Sequence, residues 1–222
     1  LGLGLAACDR ATDPSATPAG EQAAATQDNP LFVASDLPLQ YPRFDLIRDE
    51  HFAPAFDAGM AEALREIEAI ADNSEPPTFE NTILALENSG RLLERATTVF
   101  FNLVGADTND TRRKIQAEYS PRFAAHRDAI MLNPKLFARI QALYEKRDSL
   151  GLDAEGVRLV ERYYTDFVRA GAKLSDADKE RLKELNAELA RLGTQFDQNV
   201  LNEVNASAVV FGSSVKVAGA TE

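Results

Sequence analysis

Residues 167–201 read FVRAGAKLSDADKERLKELNAELARLGTQFDQNVL, and this stretch decides the fold. Leu182, Leu185, Leu189, Leu192, Phe196 and Val200 recur there at steps of three and four, which keeps them on one helical face for about five turns. The other face is charged throughout. Ser175, with Asp178 three residues on, has the spacing of an N-terminal cap. The seam falls short of about four heptads, so the expected partner is another helix of the same chain rather than an intermolecular coiled coil.

Working backward, the same periodicity recurs to about Asp49. Phe52, Phe56, Met60, Leu64, Ile67 and Ile70 form one stripe, with Pro54 tolerated in the first turn. A second helix is expected from Thr78, carrying Phe79, Ile83, Leu86, Leu93, Phe100 and Leu103 to a stop at Gly105 or Asp107. A third opens near Thr108 to Asp110 and holds Ile115, Tyr119, Phe123 and Ile130, with Pro121 expected to bend or interrupt it. Asn133-Pro134 starts a fourth with Leu136, Phe137, Ile140, Leu143 and Tyr144, ahead of a stop at Gly151. Asp153 opens a fifth with Val157, Val160, Tyr164 and Phe167 inward, closed by Gly171. Past Asn202 the period changes. Ala208 to Phe211 and Val215 to Val217, split by Gly212-Ser213-Ser214, read as a β-hairpin with nothing to pair its edges. The expected fold is therefore mainly α with a short hairpin at the C-terminal end, in a chain expected to continue beyond Glu222.

The N-terminal residues have another character. Leu1 to Ala7, LGLGLAA, is apolar and small, and Leu5-Ala6-Ala7-Cys8 resembles a bacterial lipobox at the end of a truncated signal peptide. Cys8 is then the expected lipidation site, and Asp9 after it resembles an inner-membrane retention signal. Residues 9–29 hold two prolines and no large apolar side chain, the composition of a disordered tether. The expected organisation is thus a signal remnant over 1–8, a tether over 9–29 and a helical body over 30–222. It implies a periplasmic protein held to the membrane by lipid on Cys8.

Composition removes several function classes. The chain has 222 residues, 24 Lys and Arg against 35 Asp and Glu, and a net charge of -11. Tracking a nucleic-acid backbone requires the opposite balance, so nucleic acid is excluded as a partner. One cysteine closes no internal disulfide and supplies no thiolate cluster. His51 and His126 lie far apart in the chain, and neither belongs to a His-Glu-x-x-His pattern. Both read as surface or packing histidines. No Gly-x-Ser-x-Gly elbow and no phosphate-cradling loop occurs. Tyr119, Tyr163 and Tyr164 are candidates either for the core or for peptide contacts, and the loop Gly105 to Asp110 either for a capped turn or for a binding loop. The residues nominate no catalytic and no metal-ligating position.

Several long stretches nevertheless have a family likeness. Pro42 to Phe56 (PRFDLIRDEHFAPAF), Pro77 to Gly90 (PTFENTILALENSG), Val99 to Asp110 (VFFNLVGADTND), Leu132 to Leu152 and, most clearly, Phe167 to Leu201 resemble the N-terminal part of bacterial peptidyl-dipeptidases. These belong to the thimet oligopeptidase-like zinc metallopeptidases. The FVRAGAKLSDADK segment favours the dipeptidase branch. The resemblance implies the helical N-terminal lobe of a two-lobed, channel-bearing enzyme that removes dipeptides from the C-termini of short peptides. It implies zinc held by residues outside this chain, short peptides as substrates, a monomer, and a fragment inactive by itself. The alternative is a stand-alone helical lipoprotein that binds peptides or a protein partner without catalysis.

Overall fold

The computed structural model describes residues 29–208, which form six helices and, among those residues, no strand. Three short 3-10 turns, Pro30–Phe32, Pro38–Gln40 and Asp49–His51, lead into α1 (Phe52–Ala71). A π-helical segment, Phe79–Leu84, runs into one α-turn, Ala85–Glu87, and is followed by α2 (Arg91–Ala106) and α3 (Asp110–Met131). Then come α4 (Pro134–Lys146), the 3-10 turn Arg147–Ser149, α5 (Ala154–Arg169) and the long α6 (Asp176–Ala206).

The caps are those the local sequence specifies. Asn133, Asp153 and Ser175 each accept a backbone N–H of the first turn of α4, α5 and α6, satisfying donors that a helix start leaves free. Gly171, at φ 101°, ends α5: its N–H donates to Val168 and that of Ala172 to Phe167, a Schellman closure. Asn29, placed by composition at the end of the tether, belongs to the folded body. Its side chain accepts the Leu31 N–H and donates to the His51 carbonyl at 2.7 Å, and the residue is buried.

Two apolar clusters share α1. In the first, Phe52 and Phe56 of α1 meet Ala96, Val99 and Phe100 of α2, with Tyr119 of α3 completing the cluster. Phe56 lies 5.0 to 5.2 Å, centroid to centroid, from Phe100, Tyr119 and Phe123, with interplanar angles of 59° to 87° that suit aromatic quadrupoles. In the second, Ile67 and Ile70 from the far end of α1 meet Ile83, Leu136, Ile140, Leu143, Val160 and Phe167. At Gly59 the backbones of α1 and α2 nearly touch, for a Cβ there would stand 2.9 Å from the Leu93 Cα.

Three expectations change. The single helix expected from Thr78 to Gly105 or Asp107 is broken at Gly90, whose φ of 69° is left-handed and whose N–H donates to Glu66 at 2.7 Å. Asn88-Ser89-Gly90 is a terminator, and Gly90 lets the chain turn before α2 begins. Pro121 does not interrupt α3, which is helical from Asp110 to Met131. Helix α6 continues to Ala206, past Asn202, and among the described residues its apolar stripe beyond the half-buried Leu182 is not what packs. Leu185, Leu189, Leu192, Phe196 and Val200 are exposed, and α6 meets α3 through a different face. The β-hairpin expected from Ala208 to Val217 lies, apart from Ala208, outside the described residues, as do Cys8, Asp9 and the signal remnant.

Candidate functional site

The inner face of α6 carries mostly small and polar residues beside the half-buried Leu182 and Leu201, and side-chain hydrogen bonds dock it on α3. Asn186 donates to Asp128 Oδ1 at 2.8 Å, Thr194 to Ser120 Oγ at 2.7 Å, and Gln198 to the Arg113 carbonyl at 3.0 Å. Ser120 in turn donates to the Gln116 carbonyl of its own helix. A seam built this way spares the bulk of large side chains but fills little space, and a cleft of about 730 Å³ opens where α6 and α3 diverge from α1 and α2. Its walls are Ile67 of α1, Leu93 and Phe101 of α2, Phe123 and Ile130 of α3, and Thr194 of α6. That volume lies within the range of ordinary ligand pockets, and a mainly apolar wall with a few hydroxyls and the Glu94 carboxylate suits an organic surface without negative charge.

His126 also borders the cleft. Burial pulls its imidazole below the usual histidine range, so the neutral form is favoured, and its Nδ1 is buried with no partner among the described residues. His51 is remote from it in role: its Nδ1 accepts the Arg48 N–H at 3.0 Å at the entry to α1. The two histidines therefore serve packing and capping. Among the described residues no group of three or more His, Cys, Asp or Glu is placed to hold a metal ion, so these residues do not fit a zinc site.

The tyrosines have structural partners. Tyr119 is buried, its hydroxyl donating to Asp57 Oδ1 at 3.1 Å, and burial with the adjacent carboxylate pushes it up to about 12. Tyr163 donates to Glu87 at 2.7 Å, and burial, then that carboxylate, raises it above the usual range. Tyr164 stacks on Tyr144 at 3.8 Å, the planes 4° apart, and its oxygen accepts from Lys173. None of the three lines the cleft. The loop before α3 is a capped turn, with Asn109 accepting the Arg112 N–H while Asn109 and Arg112 both donate to Asp49.

Neither the cleft nor the buried Arg139 was singled out by sequence reading. Arg139 donates to the Asn73 and Glu75 carbonyls, to Asn81 Oδ1 and to Thr82 Oγ1, and so ties the loop after α1 to the π-helical segment. A lone arginine in an amphipathic helix carries no local sign of this, because its acceptors lie some sixty residues away in the chain.

No protein-family model matches the chain. It is 47% identical over 197 residues to the dipeptidyl carboxypeptidase of Escherichia coli, which is 89% of this chain and 29% of that protein. Over 194 residues it is 22% identical to the oligopeptidase A of Salmonella typhimurium, covering 87% of this chain and 28% of that protein. The organellar oligopeptidase A of Arabidopsis thaliana is 26% identical over 178 residues, 78% of this chain and 21% of that protein. The chain thus spans less than a third of the length of these curated relatives.

Proposed function

From a chain homologous to dipeptidyl carboxypeptidase over most of its own length, we propose a non-catalytic part of a zinc-dependent peptidyl-dipeptidase, forming one wall of the channel that admits short peptides. The observation that carries this is the 47% identity across 89% of the chain, about twice the 22% identity to an oligopeptidase A. That difference favours release of dipeptides from C-termini over general oligopeptide cleavage. The wall's contribution is steric. Rigid helices packed around two apolar clusters exclude folded proteins and leave an apolar cleft that an extended peptide can touch.

Zinc and the groups that activate water belong, in this reading, to other parts of the protein. Purified as the 222-residue chain, it is expected neither to retain zinc through dialysis nor to hydrolyse short peptides. Chelator-sensitive hydrolysis by this chain would overturn the reading. The cleft also supports a second reading, a stand-alone lipoprotein that binds peptides without catalysis. Saturable binding of short apolar peptides to the isolated chain, abolished by Thr194→Trp in the cleft wall, would favour it.

Lipid anchoring at Cys8 and a periplasmic location at the inner membrane complete the proposal, supported by Leu5-Ala6-Ala7-Cys8 and Asp9. Metabolic labelling with a fatty acid is expected to tag the protein and to fail for Cys8→Ala.

A further inference from the structure

The outward face of α6 is the largest feature left unused. Leu185, Leu189, Leu192, Phe196, Val200 and Val204 are each 45% to 66% exposed, in a continuous stripe about 28 Å long. The helix is inverted relative to an ordinary surface helix, with Asn186, Thr194 and Gln198 turned to α3 and its large apolar side chains turned away. An apolar stripe of this extent marks an interaction surface.

Three kinds of occupant compete, and the residues along the stripe discriminate among them. A membrane surface would require Lys and Arg on its borders, but at helical spacing Glu188 and Asp197 border it and Glu203 falls within it. A second copy of α6 would place Leu182, Leu189 and Phe196 at a and Leu185 and Leu192 at d. A parallel pair then sets Arg181 against Asn186 and Glu188 against Gly193, while an antiparallel pair centred on the stripe sets Gln195 against its own copy and Glu188 against Asn202. Neither has a complementary charge pair to specify it. The remaining occupant is more of the same polypeptide, and the relative that matches 89% of this chain has more than two-thirds of its length outside the match.

We infer that the Leu185–Val204 face of α6 is the seam on which an apolar helix face from the rest of a full-length peptidase packs. This rests on the proposed function, and it adds that α6 is the element joining the described helices to the catalytic part. The joint is then dry and apolar on one side of α6 and hydrogen-bonded on the other.

Thiol labelling of Leu189→Cys and Phe196→Cys tests it in two settings. One is the 222-residue chain. The other is the Escherichia coli dipeptidyl carboxypeptidase with its matched residues replaced by those of this chain, compared with the same chimera lacking the introduced cysteine. In the isolated chain both thiols are expected to react as fast as in urea. In the chimera they are expected to be protected by about 100-fold or more. Equal rates in the two settings overturn the proposal. So does protection in the isolated chain, assigned to a second copy where it grows with protein concentration and to residues 209–222 where their deletion removes it. The isolated-chain measurement stands even where the chimera fails to fold. An active chimera with unprotected thiols sinks the seam and spares the proposed function. A folded but inactive chimera with protected thiols does the reverse.

Discussion

The packing of α1 on α2 and that of α3 on α6 are both helix pairs, yet they are built oppositely. Around Phe56, large apolar side chains face inward and the two backbones approach as closely as Gly59 permits. Between α3 and α6 the inward residues are Asn186, Thr194 and Gln198, held by side-chain hydrogen bonds, and the large apolar residues face out. The first pair is stabilised by removing apolar surface from water, about 25 cal/mol per Å². The second gains the net value of a few hydrogen bonds, about 1 kcal/mol each, and leaves its apolar potential unspent. A pair of the second kind orients a helix without completing a core, which is what a joint to further structure requires.

The sharpest break in that contrast is Phe56→Ala. Phe56 is fully buried among four other aromatic rings, and truncation leaves a cavity that helices fixed at Gly59 collapse into poorly. A loss of about 3–5 kcal/mol is expected in urea unfolding of the 222-residue chain. A loss below about 1 kcal/mol would mean that the aromatic cluster is not the core of the first pair.

Asn186→Ala ranks next and tests the other pair. Asp128 is buried, with Oδ1 bonded to Asn186 and Oδ2 without a partner among the described residues. Removing the amide leaves a buried carboxylate with neither oxygen satisfied, at a cost of about 1–3 kcal/mol. The same urea titration measures it, and faster amide exchange confined to α6 and the facing turns of α3 locates it. Loss of protection spread evenly over all six helices would mean that the α3–α6 seam is part of the main core.

How much of this was legible follows from how local each signal is. The starts of α4, α5 and α6 were readable because Asn133, Asp153 and Ser175 cap within three residues, and the α1 stripe because one helix carries the whole pattern. The break at Gly90 was missed because the apolar spacing of Leu86 and Leu93 survives an interruption, although Asn88-Ser89-Gly90 carried the signal. The face by which α6 docks on α3 was not legible for a physical reason. Periodicity says which residues share a face, and only the partner says which face is covered. The cleft was invisible because its walls come from α1, α2, α3 and α6, and no spacing along the chain relates Ile67 to Thr194.

The smallest expected effect is the most informative about α6. Among the described residues Phe196 is about two-thirds exposed and belongs to neither apolar cluster, so Phe196→Ser in the 222-residue chain should change stability by no more than about 0.5 kcal/mol. Set beside Phe56→Ala, it separates a phenylalanine that holds this part of the protein together from one held ready for something else. A loss near 2 kcal/mol at Phe196 would mean that the stripe is already covered within residues 1–222, and the contrast between the two helix pairs would disappear. A change within that limit would sharpen it, because a ring wetted in the folded and unfolded states alike contributes little to the difference between them while the α3–α6 hydrogen bonds remain.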